Sequence, residues 1–332
     1  MPHNAFDGQA LGRSVHDHYL DDVPASAPRR GRRSPAHRDG DDPVFAVDSE
    51  PDRPPAGDRW SSWDGATHGP TPRPDWVVTD LGAVDEDLGV LKTGKEADVH
   101  IVRRWVPAPD DPVGTDGPDP SHGSPHDDRS VLLAAKRYRP ATNRLFHRDA
   151  GYLEGRRVRK SRENRAMATR TAFGKQVISG LWAFAEFETL STLWKEGLPV
   201  PYPVQMDGRE MLMELVGADG QAAPRLAQCR PDRGVLPDLF EQLREAMLRL
   251  AELGWAHGDL SPHNVLLDDA GGTPRLVLID WPQVVDVIGN PHGPEFLERD
   301  ARVMCEWFTR RGFEVDHGVL FGDLMAAATA RW

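Results

Sequence analysis

"GVLKTGKEADVHIV", Gly89 to Val102, comes within one residue of a phosphate-binding P-loop. Gly89, Gly94 and Lys95 satisfy G-x-x-x-x-G-K, but Glu96 stands where the magnesium-binding Ser or Thr belongs. The surroundings are wrong as well, because a P-loop runs from a strand into a helix whose N-terminus faces the phosphates. From Ala97, "ADVHIVRRW" sets Val99 and Ile101 on one face and Asp98 and His100 on the other, the period-two pattern of a strand. After a polar stretch broken by Pro and Gly, Pro107–Ser130, "VLLAAKRYRP" reads as a second strand stopped by Pro140. Strand, long loop and strand exclude the Walker arrangement. They fit a turn between antiparallel strands that covers a nucleotide, the other way of cradling phosphates.

Downstream, "QVISGLWAFAEFETLSTLWKEG" repeats apolar residues at helical spacing, and Gly197 with Pro199, Pro201 and Pro203 ends it. "REMLMELVG" reads as a strand. "LPDLFEQLREAMLRLAELG" is an amphipathic helix with Leu239, Leu243, Met247 and Leu250 on one stripe. "NVLLDD" and "RLVLIDW" are short strands around the turn "DDAGGTP", and "PEFLERDARVMCEWFTRRG" is helical. The pattern predicts an α+β chain: a β-rich front with one long helix, then a mainly helical back carrying a hairpin.

The chain of 332 residues has room for two lobes. Its first 75 residues are dense in Pro, Gly, Asp and Arg and poor in aliphatic residues, which predicts a disordered tail, with the folded domain over 76–332. The Arg29–Arg33 cluster in that tail offers a contact for an acidic partner, with a solvated run as the commoner reading. Two cysteines, Cys229 and Cys305, form no disulfide framework and point to a reducing, cytoplasmic setting. No signal peptide and no membrane-spanning run is evident. A formal net charge of -12 argues against general affinity for nucleic acid.

The chemistry concentrates in "HGDLSPHNVLL", 257–267, where Asp259 and Asn264 stand between a helix and a strand, followed by Asp280 in "LIDWPQ" at the end of the next strand. Two carboxylates and an amide on a rigid hairpin suit phosphoryl transfer. Asp259 would orient a hydroxyl nucleophile, and Asn264 and Asp280 would hold Mg²⁺ through hard oxygen ligands. Lys136, inside an apolar strand, needs a charge partner, and Glu186 on the long helix is the natural one. Each residue alone has a bland alternative: a polar turn, an edge lysine, a solvated carboxylate. Their order along the chain favours the kinase-like assignment.

At these residues the sequence resembles the RIO family of atypical serine/threonine protein kinases. "KTGKEADV" resembles that family's S-T-G-K-E-A-x-V phosphate loop, in which Glu96 is the expected residue. "HGDLSPHN" resembles its H-G-D-L-S-x-x-N loop, "IDWPQ" its I-D-x-x-Q metal loop, and "GADGQAAPRL" the segment after its hinge. The resemblance covers about residues 80 to 315 and favours the branch without an N-terminal winged helix. It implies a bilobal kinase-like fold lacking a full activation segment, with an N-lobe over about 76–213 and a C-lobe over about 217–332. It also implies ATP and Mg²⁺ as cofactors. Lys136 would meet the α- and β-phosphates, and Thr93, Gly94, Lys95, Glu96, Ala97 and Val99 would roof the nucleotide. Glu186 would pair with Lys136, while Met213, Glu214 and Val216 would border the adenine. The implied activity is phosphorylation of Ser or Thr on a protein or on itself, with an ATPase cycle through an acyl phosphate on Asp280 as a variant.

Departures from ordinary protein kinases limit that picture. Gly258 replaces the arginine that reads a phosphorylated activation loop, and little chain separates Asp280 from "PEFLERD". Trp281 has no assigned role, and "IDW" also occurs in small-molecule phosphotransferases acting on aminoglycosides or choline, which stand as the alternative. A slow ATPase working as a conformational switch is the second. The basic run Gly155–Lys175 offers contacts for RNA or a ribosomal particle, or else a solvated segment that orders over nucleotide.

Overall fold

The computed structural model describes residues 54, 56–107, 130–139, 172–218, 220–281 and 284–330, with the backbone alone over 172–178. The Arg29–Arg33 cluster, the 107–130 insertion apart from its two end residues, and the basic run as far as residue 171 lie outside the described residues.

The front half is a seven-stranded antiparallel sheet built from β1 (Arg59–Trp60), β2 (Thr67–His68), β3 (Val84–Thr93), β4 (Ala97–Trp105), β5 (Val131–Tyr138), β6 (Pro203–Asp207) and β7 (Glu210–Glu214), in the spatial order β1-β3-β4-β5-β7-β6-β2. Alternation along β4 and β5 sorts the side chains. Val102, Leu133 and Ala135 join Tyr202, Val204, Leu212 and Trp63 in a cluster on the outer face. Ala97, Tyr138 and Met211 pack on the inner face against the long helix α1 (Ala172–Lys195). That helix buries Ala183, Glu186, Phe187, Leu190 and Leu193, the spacing that lines up one side of a helix, so Glu186 rides on the seam that meets the sheet.

Residues 56–75, placed by composition in a disordered tail, fold onto this sheet. β1 and β2 pair with β3 and β6 and so supply both edges. Aliphatic content is the wrong measure for this segment because tryptophan does the anchoring: Trp63 is 7% exposed, with His68 stacked on it at 3.8 Å and the Arg73 guanidinium 5.1 Å from its ring. Ser61 N–H donates to Ala83 C=O, Gly69 N–H to Val204 C=O and Tyr202 Oη to Pro70 C=O, so the backbone is tied down as well. Beneath lies a fully buried pair. The Arg104 guanidinium donates to both Asp85 oxygens, at 2.7 and 3.0 Å, and to Gln205 Oε1 at 2.7 Å, while Gln205 Nε2 donates to Ser62 Oγ.

The back half begins after two short strands, β8 (Gly217–Ala218) and β9 (Gln221–Ala222). Its helices are α2 (Leu236–Glu252), α3 (Gly293–Thr309) and α4 (His317–Thr329), with hairpin β11 (Val265–Asp268) and β12 (Arg275–Leu278) and the pair β10 (Trp255–Ala256) and β13 (Val285–Asp286). The predicted stripe Leu239, Leu243, Met247 and Leu250 is buried throughout. α4, outside the sequence reading, is capped by Asp316, whose Oδ1 accepts from Gly318 N–H at 2.7 Å, and it buries Leu320, Leu324 and Ala328. The chain between the end of β12 at Leu278 and the start of α3 at Gly293 is short and, among the described residues, carries only β13 and turns, too little for a full activation segment. The architecture is the expected bilobal, kinase-like α+β fold.

Candidate active site

Lys136 projects from β5 on the inner face, where α1 and the loop after β12 converge on it. Its Nζ lies 2.5 Å from Glu186 Oε1 and 3.2 Å from Asp280 Oδ1. Burial opposes the ammonium charge, but the Glu186 and Asp280 carboxylates outweigh it and raise the Lys136 pKa above its ordinary value. Tyr138, two residues along the same face, donates its hydroxyl to the other Glu186 oxygen, which fixes that carboxylate from both sides. Glu186 is 4% exposed and Asp280 41%, so the pair is closed at the helix and open at the cleft.

Asp280 is the one non-glycine residue with positive φ, 71°, among the described residues. Such a left-handed backbone is uncommon outside glycine and is tolerated best by Asp and Asn, and it collects at functional sites. Burial raises the Asp280 pKa, yet the charge and hydrogen bond of Lys136 prevail and hold it below the usual range, so the group is an anion at neutral pH. Ile279 N–H donates to Asn264 C=O at 3.0 Å, stitching this loop to the one carrying Asp259.

In that second loop Asn264 Nδ2 donates to Asp259 C=O at 2.9 Å, which leaves the amide oxygen for another partner. Gly258, with φ at 81°, has a conformation that an arginine would adopt only under strain, which explains physically the departure seen in the sequence. The buried Asp300 of α3 accepts from Gly258 N–H at 2.8 Å and from Leu260 N–H at 2.9 Å, clamping the loop on either side of Asp259. Arg299 reaches the same place from above, donating to Gly258 C=O at 3.1 Å and to Asp259 Oδ1 at 2.9 Å. Trp281 is 2% exposed, donates Nε1 to Leu278 C=O and packs its ring 4.4 Å from that of His257. The tryptophan therefore joins the two loops from below, a packing role that accounts for "IDW" without a small-molecule substrate.

The turn between β3 and β4 closes with Gly94 N–H donating to Ala97 C=O at 2.9 Å. A Cβ on Gly94 would stand 2.7 Å from that same oxygen, so the turn requires glycine. Lys95 is exposed, Ala97 is buried, and Glu96 C=O accepts from Arg139 N–H. Thr93 pairs with Asp98, and Val99 stands in register beside Lys136. At the far end of the cleft Glu214 N–H donates to Tyr202 C=O and Val216 C=O accepts from Ala223 N–H, while the Val216 N–H has no partner among the described residues.

The structure thus joins Lys136, Glu186 and Asp280 by direct contact and Asp259 to Asn264 by a hydrogen bond. Asp259 pairs with Arg299 rather than with the lysine group. Tyr138, Arg299 and Asp300 escaped the sequence reading. Asp300 had a weak signal, an acidic residue at a core position of an amphipathic helix. Gln283 lies outside the described residues. For Mg²⁺ the available donors fit: one ionised carboxylate and one amide oxygen, the hard and incomplete oxygen set that this ion fills with phosphates and water.

A family model for the RIO domain matches residues 132–319. The RIO-type serine/threonine-protein kinase Rio1 of Haloferax volcanii is 31% identical over 242 residues, 72% of this chain and 69% of that one. The serine/threonine-protein kinase RIO3 of Caenorhabditis elegans is 34% identical over 138 residues, 40% of this chain but only 26% of its own length. Among solved structures, the Rio2 kinase-ADP/Mg2+-phosphoaspartate complex from Chaetomium thermophilum aligns with TM-score 0.46 and 22% identity, covering 74% of this chain and 66% of that one.

Proposed function

The chain belongs to the RIO-domain family of serine/threonine-protein kinases, and from that premise we propose that its cleft transfers the γ-phosphoryl group of ATP to a Ser or Thr hydroxyl of a protein, its own chain included. The observation that carries this reading is the convergence of Lys136, Glu186 and Asp280 from three separate elements onto one cleft. A lysine kept charged by two carboxylates is fitted to meet phosphates. Asp259, more than half exposed at the cleft, accepts or orients the proton of the attacking hydroxyl. Arg299 and Asp300 hold its loop. Asn264 and Asp280 would hold Mg²⁺, which when bound would neutralise charge on the phosphate oxygens. Thr93, Gly94, Lys95, Glu96, Ala97 and Val99 form the roof over the nucleotide, and Met213, Glu214 and Val216 its adenine border.

A second route uses the same residues. The Asp280 carboxylate attacks the γ-phosphorus as the bond to ADP breaks, and water then cleaves the acyl phosphate, returning the carboxylate and free phosphate. The exposure of Asp280 and its held, ionised state fit this route. We place the activity in the cytoplasm, as the free Cys229 and Cys305 suggest. Among the described residues no helix is long and apolar enough to cross a membrane. The basic composition of residues 155–175 supports a contact with RNA or a ribosomal particle.

The test is incubation of the purified protein with Mg²⁺ and γ-labelled ATP, with and without an aminoglycoside and choline panel. Label on Ser or Thr of the protein is the expected result. An acid-stable, base-labile label marks phosphoserine, and hydroxylamine-sensitive label marks the Asp280 route. Label on a small molecule overturns the reading.

A further inference from the structure

Lys92 occupies the position of Ser in the S-T-G-K-E-A-x-V loop that this chain resembles, and nothing above gives it a task. The sheet register places it. Lys92 pairs with Val99, and Val99 pairs with Lys136. Residues directly opposed across antiparallel strands share a face. Lys92, Val99 and Lys136 therefore stand in one row on the inner face, the two lysines about 10 Å apart across two strand spacings. Arg225 comes from the opposite wall. Its backbone bridges Leu266 of β11, and its guanidinium donates to His263 C=O, beside Asn264. Both cations are attracted by Asp280 and repelled by each other, and Lys92 is also repelled by Lys136. Among the described residues neither forms an ion pair with a carboxylate. The Glu186 and Asp280 carboxylates are bonded to Lys136, so among the described residues the two cations share Asp280 at a distance and have no carboxylate of their own.

We propose that Lys92, from the roof, and Arg225, from the floor, are two further binding residues for the polyphosphate of the nucleotide, on either side of Lys136. This rests on the ATP-dependent reading of the cleft and adds residues to it. A cation bonded to a phosphate oxygen is worth about tenfold in affinity. The experiment is calorimetric titration of the full chain with MgADP and with adenosine, at low and high salt, for the wild type, Lys92→Ser, Lys92→Arg and Arg225→Gln. The glutamine keeps an N–H for the His263 carbonyl and drops the charge, so the loop retains its tie.

Lys92→Ser and Arg225→Gln are each expected to lose about tenfold in MgADP affinity, with adenosine unchanged. Lys92→Arg restores binding, and both charge-removing variants show a shallower salt dependence. Unchanged MgADP affinity in Lys92→Ser overturns the assignment of Lys92, and in Arg225→Gln that of Arg225. An equal loss of adenosine binding shows a structural effect and overturns it too. A wild type that binds neither ligand sinks the ATP reading itself, whereas with a wild type that binds both, any failure falls on these two residues alone.

Discussion

Arg104 and Lys136 are buried cations on neighbouring strands, β4 and β5, yet they face opposite sides of the sheet and end in different surroundings. Arg104 and Asp85 are 0% and 1% exposed, doubly bonded to each other, and sealed by Gln205 and Ser62 under the segment that supplies β1 and β2. Lys136 is 13% exposed, and its second carboxylate, Asp280, is 41% exposed on a left-handed backbone. Removing two charges from water is costly unless every donor and acceptor is satisfied. The outer pair meets that demand within the chain. The inner group does not, and its spare capacity points into the cleft, where a ligand can use it. A closed pair serves the fold; an open one serves chemistry.

That contrast predicts two separable kinds of damage. The largest effect belongs to the open side: Asp259→Asn should lower the rate of phosphoryl transfer about 10³-fold, or about 4 kcal/mol of barrier. Binding of MgATP should stay within about twofold, since Asp259 touches neither Lys136 nor Asp280. Single-turnover kinetics beside equilibrium binding measures both, and full turnover by the variant removes Asp259 from its role.

On the closed side, Arg104→Leu should cost about 3 kcal/mol of stability, because buried Asp85 loses its two short hydrogen bonds and keeps only the 3.4 Å contact with half-exposed Arg59. Urea unfolding reads the loss. The rate per folded molecule should not change, and a variant that kept its stability but lost turnover would erase the distinction between the two faces. Replacing Asp85 by Leu as well should recover part of the loss.

A smaller effect sharpens the open side. Lys136→Ala should weaken MgATP binding about tenfold and slow transfer. It also leaves Glu186 with Tyr138 as its partner, so some stability is lost alongside. If adenosine binds the variant as it binds the wild type, the defect lies with the phosphates.

The same contrast explains which parts were legible in the sequence. Lys136, Glu186, Asp259, Asn264 and Asp280 announce themselves because polar residues at fixed places among apolar strands and helices are costly unless used. Arg104 gives no such signal: on an alternating strand it falls on the face that Asp98 and His100 mark as wet, and only the covering segment makes it dry. That segment is hidden because two-residue strands and a single tryptophan anchor leave no periodic trace, and because composition reports aliphatic content better than aromatic docking. Arg299 needed the tertiary structure, since nothing local links a helix α3 arginine to a loop forty residues earlier.

Asp300 is a third case between the two, and it yields the smallest prediction. Like Asp85 it is buried; like Asp280 it serves the site, but its hydrogen-bond partners are backbone N–H groups, and the nearby charge of Arg299 offsets its own only in part. Burial, the dominant influence, raises its pKa to about 7 against the two N–H donors that favour the anion. The sign follows from proton binding. Between the ordinary carboxylate range and pH 7 the folded state holds a proton that the unfolded state has lost, so stability falls as pH rises through that window. With a folded pKa of about 7, the expected loss is about 1 kcal/mol between pH 6 and 7 and about 0.4 kcal/mol between pH 7 and 8. Asp300→Asn should be less stable at every pH, because the amide offers one oxygen to two donors, and it should lack this slope. Denaturant titrations of both proteins across pH 6 to 8 measure the difference. Parallel pH profiles would mean that Asp300 stays ionised, and the two backbone donors would then have to be worth more than the burial they oppose.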